Sequence, residues 1–154
     1  MKRAIGRYWS LCVGLGLGVF CGAAVGCRSN ISDADVDKNL VTLKDVQKAS
    51  ERPGDSVLLV DARTRTEWER ERIPSSVNMA LTQVSGNPQQ RDPRLESFRT
   101  IIVYGQDPGS GTARALAKKM MAAGFRDVRF FPGGVSEWQK AGQPVRSTAP
   151  APEK

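Results

Sequence analysis

Beyond Cys27 the chain contains neither cysteine nor histidine: its three cysteines are Cys12, Cys21 and Cys27, and histidine is absent altogether. Residues 28 to 154 therefore have no disulfide and no Cys/His zinc site to staple them, and must be held by an apolar core. The same absence excludes a Ser-His-Asp triad and a Cys-His pair, and no metal or cofactor is expected. With 154 residues, 40% hydrophobic and 25% charged, the chain has the size and composition of one globular domain. The formal charge of +7 includes Lys2, Arg3 and Arg7 of the N-terminal segment. No Lys/Arg run interleaved with aromatics suits a phosphate backbone, so nucleic acid is not an expected partner.

The first 26 residues follow a signal-peptide plan. Basic residues precede the uncharged stretch Tyr8 to Gly26, and the chain turns polar at Arg28-Ser29-Asn30. Ala24-Val25-Gly26-Cys27 resembles a bacterial lipobox, in which small residues admit the peptidase before a lipid-modified cysteine. Cys12 follows Leu11 and Cys21 follows Phe20, both too bulky for that cleavage site, so Cys27 is the expected lipid attachment. The competing reading is an uncleaved anchor, because the uncharged stretch just reaches a bilayer span and Gly14, Gly18, Gly22 and Gly26 give small-xxx-small spacing. Both readings leave the basic residues inside and the domain outside the cytoplasm. Arg28 after the cysteine favours the outer over the inner membrane in a Gram-negative envelope.

Residues 27 to 39 are polar with little periodicity and are expected to form a flexible tether; 147 to 154 form a Pro/Ala tail with nothing to bury. Between them, apolar runs alternate with helical patterns. Thr42 caps a helix carrying Leu43, Val46 and Ala49, which stops at Pro53-Gly54. Ser56 to Ala62 has the β-branched content of a strand buried on both faces. Thr64 and Glu67 form a capping box that opens a short helix with Trp68 turned inward, and Ser76 to Leu81 is a second strand. Thr82 to Pro93 is a polar surface loop, and Thr100 to Tyr104 a third strand. Ala113, Leu116, Ala117, Met120 and Ala123 or Gly124 share one helical face, with Arg114, Lys118 and Lys119 opposite. Asp127 to Phe131 is a fourth strand, and Val135 to Ala141 a last helix bearing Trp138. Met120, Met121, Phe125 and the tryptophans are expected in the core. Such alternation predicts an α/β fold, a central parallel sheet with helices on both faces.

Three segments carry a family resemblance. Asp61-Ala62-Arg63 through Trp68, followed by Ile73-Pro74-Ser75-Ser76-Val77-Asn78, resembles the first signature of rhodanese-homology domains. Thr100 to Tyr104 is similar to the strand that delivers that family's active-site loop. Phe131-Pro132-Gly133-Gly134 with Trp138, Gly142, Pro144 and Val145 resembles its closing signature. The resemblance covers residues 40 to 146 and implies the rhodanese-like three-layer fold. It also implies a loop whose amides and helix end favour a thiolate, then a persulfide, on a cysteine immediately after the central strand.

That position is Gly105, and no cysteine follows it. The common Gly-His before Ile-Pro is Glu71-Arg72, the following Gly-Ala is Ser75-Ser76, and the loop from Gly105 to Gly111 is about two residues longer than the simplest family loop, with a negative charge at Asp107. No catalytic residue is therefore expected. Ser110 lacks a base and cannot form a persulfide; helix capping beside Thr112 is its expected role. Asp61 and Arg63 are expected to support the loop, or else to bind at a strand's carboxyl end. Gly105, Gln106, Gly109, Ser110, Gly111 and Thr112 remain candidates for holding a small anion.

The function expected from these residues is a non-enzymatic binding module, lipid-anchored in the bacterial cell envelope, facing the periplasm or exterior. Its expected partners are the membrane, through Cys27, and an envelope protein. The alternatives are sulfur transfer and small-anion binding through the Gly105 to Gly111 loop.

Overall fold

The structure is a computed structural model that describes residues 30–52 and 56–148. Cys27 and the uncharged stretch before it lie outside the described residues. So do Pro53–Asp55 and the end of the tail. Four parallel strands, β1 (Val57–Asp61), β2 (Ser76–Asn78), β3 (Thr100–Tyr104) and β4 (Val128–Phe131), form one sheet in the order β2-β1-β3-β4. Six helices accompany it: α1 (Asp33–Asp37), α2 (Leu43–Glu51), α3 (Arg65–Arg70), α4 (Pro93–Glu96), α5 (Gly111–Ala122) and α6 (Gly134–Lys140).

Alternation along the strands divides the core into two. Leu58, Val60, Ile101, Val103 and Phe130 face Ala113, Leu116, Ala117 and Met120 of α5 on one side of the sheet. Leu59, Ile102, Tyr104 and Phe131 face Val46 and Ala49 of α2, and Val135 and Trp138 of α6, on the other. Helices thus cover both faces, as the α/β pattern required, because every inner strand has apolar residues on both sides.

Two flanks depart from the sequence expectation. The tether expected over residues 27 to 39 gives way at Ser32, whose hydroxyl and Asp35 carboxylate build a reciprocal capping box that starts α1. Val36 is fully buried against the α5 side, and Asp33 and Asp37 pair with Lys118 and Arg114. A single buried apolar residue supported by three ion pairs is too weak a pattern to show as periodicity, yet it docks the segment. At the other end, the expected tail is held as far as Thr148. Arg72 and Arg146 exchange backbone bonds of 2.9 Å, and the Thr148 N–H donates to Glu69 O at 2.8 Å.

Smaller corrections follow from local chemistry. The Thr82 to Pro93 loop contains two 3-10 turns, and Asp92 with Pro93 starts α4, whose Leu95 is buried. Trp68 is half-buried, not core: its six-residue helix buries none of its side chains, and the ring lies under the guanidinium groups of Arg65 and Arg72, 4.9 and 4.1 Å from its centre. Met121 and Phe125 are only partly buried at the core margin, whereas Trp138 is buried and donates to Pro144 O at 2.9 Å.

The three capping carboxylates give a pH prediction. Hydrogen bonds from Ser32, Thr42 and Thr64 hold Asp35, Asp45 and Glu67 below the ordinary carboxylate range. A depressed carboxylate stabilises the fold above its unfolded pKa, and that contribution is lost as pH falls through the lower folded value. Below about pH 4 the ends of α1, α2 and α3 are expected to loosen first. Faster amide exchange at Asp35, Asp45 and Glu67 than in β3 on acidification checks this.

Candidate functional site

In the order β2-β1-β3-β4 the connections from β1 and β3 diverge, so the carboxyl ends of these central strands open a crevice. Asp61 ends β1 and Tyr104 ends β3, side by side in register. Asp61 is fully buried, and Arg63 lies on it with Nη2 2.8 Å from Oδ2 and Nε 3.1 Å from Oδ1. Two further donors of Arg63 are also engaged: Nη1 donates to Gln106 Oε1 at 2.8 Å and Nη2 to Glu71 O at 2.6 Å. Burial alone would lower the Arg63 pKa, but the hydrogen bonds and charge of Asp61 outweigh it and raise the value. An arginine so enclosed, with four of its five N–H donors bonded within the protein, holds the loop. Asn78 fastens the same turn, its Nδ2 donating to Arg63 O at 2.8 Å.

Gln106 connects this pair to the opposite wall, since its Nε2 donates to Ser136 Oγ at 3.2 Å. The first N–H groups of α6 reach the same loop: Val135 donates to Gly105 O at 3.0 Å and Ser136 to Gln106 O at 2.9 Å. Gly134 makes that approach possible. It sits at φ +58, and a Cβ there would come within 2.7 Å of the Gln106 carbonyl carbon. Beneath the loop Tyr104 is buried and donates to Ser76 Oγ at 2.8 Å, and Trp68 Nε1 reaches the same hydroxyl at 3.2 Å. Burial, with the nearby Asp61 charge, pushes the Tyr104 phenol well above its usual pKa, so it remains a neutral donor.

The candidate anion loop is closed on itself. The Asp107 carboxylate accepts from the Gly109 N–H at 2.9 Å, and its carbonyl accepts from the Ser110 N–H at 3.0 Å. Ser110 takes the N-cap position of α5, but its side chain makes no capping bond, contrary to the expected role. It lies instead over Gly105. A Cβ on Gly105 would meet the Ser110 hydroxyl, would come within 2.5 Å of the Ser110 Cβ, and would lie 3.0 Å from the Ala113 Cβ. Gly105 does not have a left-handed φ, so the obstacle there is steric. Gly111 needs neither positive φ nor space, and Gly111 and Thr112 are exposed at the start of α5.

The structure thus brings Asp61, Arg63, Gly105, Gln106 and Ser110 together, while Gly109, Gly111 and Thr112 lie toward the exposed side. Sequence reasoning passed over Ser76, Tyr104 and Ser136 in this network, because a buried hydroxyl contact between distant segments leaves no periodic signal. Asn78 and Gly134 stood within the quoted signatures, but without a role.

Comparison with known proteins agrees with the fold. The Rhodanese-like domain family matches residues 42–141. An uncharacterized protein of Synechocystis sp. is 31% identical over 101 residues, a match covering 66% of this chain and 53% of that protein, so the chain spans about half the length of this relative. Among solved structures, the BH2092 protein from Bacillus halodurans superposes with TM-score 0.62 at 21% identity, covering 77% of this chain and 84% of that one. A single-domain sulfurtransferase from Saccharomyces cerevisiae gives 0.55 at 19% identity, covering 69% and 95%. Thiosulfate sulfurtransferase from Pseudomonas aeruginosa gives 0.54 at 20% identity, covering 76% of this chain and 22% of that one. With four parallel strands between two helical layers and a family match across most of the described domain, this chain belongs to the rhodanese-like domain family.

Proposed function

We propose that this chain is a catalytically silent rhodanese-like domain, tethered by lipid on Cys27 to the periplasmic or outer face of a bacterial membrane, and acting by binding another envelope protein. The observation that carries this reading is the position after β3: it is glycine, and the Ser110 side chain stands where a thiol would start. Sulfur transfer through a persulfide needs a sulfur atom held at the loop, and residues 28 to 154 contain none that is thiol-borne. Small-anion binding at the same loop is disfavoured because Asp107 already occupies two of its amides and brings a negative charge.

The docked α1 changes the geometry of the tether. Five peptide links separate Cys27 from Ser32, a reach of at most about 18 Å. The domain is therefore held close against the membrane. The test is expression of the full chain and of Cys27→Ala in a bacterial host, with mild crosslinking and intact-mass analysis of the membrane fraction. Expected are loss of residues 1 to 26, gain of acyl chains on the wild type alone, and one recurrent crosslinked protein. An uncleaved mass unchanged by Cys27→Ala, or an acylated chain with no crosslinked partner, contradicts the proposal.

A further inference from the structure

At the end of the sheet opposite the family loop, where β1, β3 and β4 begin, lies a cavity of about 460 Å³. Its lining includes Arg91, Arg99 and Arg126, with Glu96 the only acid among the lining residues. Arg91 is anchored by an Nη1 bond of 2.9 Å to Gly124 O. Its Nε is buried and has no hydrogen-bond partner among the described residues; Glu96 Oε1 lies 3.3 Å away as an ion pair without hydrogen-bond geometry. Arg99 and Arg126 are exposed and make no ion pair among the described residues; Asp55, one residue before Ser56 in the lining, lies outside them. Asp127, beside Arg126 in the chain, is held by Arg129 at 3.0 Å and by the Thr100 hydroxyl at 2.8 Å.

Three guanidinium groups around a polar concavity, two of them without an ion pair among the described residues, match the planar multidentate recognition of a phosphate group. We propose that this cavity binds a phosphate group through Arg91, Arg99 and Arg126, at a site separate from the family loop. The placement of α1 favours a lipid headgroup over a free phosphate. Asp37 lies 2.7 Å from Arg114, while Asp33 lies 4.0 Å from Arg114 and nearer Lys118 at 3.3 Å, so α1 begins toward the end of α5 that leads to Gly124 and Arg126. With lipid on Cys27, a source that rests on the proposed tether, this end of the domain faces the bilayer.

The test measures binding of the full chain, in an uncharged detergent at low ionic strength, to inorganic phosphate and glycerol phosphate. A second arm measures retention of the chain on phosphatidylcholine vesicles with and without phosphatidic acid, using Cys27→Ala so that acylation does not contribute. Saturable binding is expected, weakened about tenfold or more by Arg99→Gln with Arg126→Gln. Glu96→Gln is expected to tighten it, and Arg65→Gln with Arg70→Gln, the same charge change as the double variant but on exposed α3, to leave it unchanged; Arg70→Gln alone is likewise expected to have no effect. Response to phosphatidic acid vesicles alone assigns a headgroup, and response to the soluble probes assigns free phosphate; both support the site. No saturable response in either arm overturns it, as does equal weakening by Arg65→Gln with Arg70→Gln. Binding that survives the double arginine variant but is altered by Asp107→Asn also overturns it and returns the anion to the loop, whatever the outcome of the acylation test.

Discussion

Gly105→Cys, the substitution that restores the family's nucleophile, is expected to leave sulfur transfer at background and to destabilise the protein by about 2–3 kcal/mol. Two atoms of Ser110 occupy the space that the new side chain must enter, and rotating the hydroxyl away does not remove the Cβ 2.5 Å from the new one. Adding Ser110→Gly removes the two closest atoms and leaves the Ala113 Cβ at 3.0 Å as the next neighbour, a separation that a small shift of α5 relieves. The double variant is therefore expected to regain most of the lost stability and to react with a thiol-alkylating reagent. It is still expected not to turn over, because Asp107 keeps the Gly109 and Ser110 amides that would stabilise a thiolate. Urea denaturation and a thiosulfate-to-cyanide assay check both parts. A single variant as stable as wild type and active would show that Ser110 does not fill the site.

Arg63→Ala is expected to cost about 3–5 kcal/mol, because it strands the fully buried Asp61 carboxylate. The value of the pair itself is smaller than this figure, since most of the loss is the penalty of an uncompensated charge. Arg63→Lys keeps the charge but cannot reach Asp61, Gln106 and Glu71 O together, and is expected to recover only part of the loss. Loss of the Gln106 bond should also free the loop, seen as faster amide exchange at Gln106 and Gly109 in either variant. Wild-type exchange there in a destabilised Arg63→Ala protein would mean that the arginine supports the core without positioning the loop.

The parts of this molecule that were legible in its sequence are those in which a local pattern and a buried surface agree. β1 and β3 are continuous apolar runs because both of their faces are covered. Thr64 and Glu67 begin α3 through a side-chain exchange that occurs within four residues. α1 used the same chemistry at Ser32 and Asp35, so its start was written in the chain, but one buried valine did not mark the segment as docked. Trp68 misled because its size suggests the core; two neighbouring arginines instead stack on it where the helix is too short to bury it. At the site, Gly105 and the Asp61–Arg63 pair stood out as motif positions. The closure of the loop did not, because Ser110 reaches Gly105 only after the chain has turned back through Asp107. That contact depends on the whole loop and on the α6 amides that fix its carbonyls.

The measurement that bears most directly on the silent-domain reading is sulfur transfer from thiosulfate to cyanide by the purified full chain, run beside Cys27→Ala. No transfer above the protein-free rate is the expected result for both. A rate that saturates with thiosulfate and scales with the concentration of either protein would contradict it.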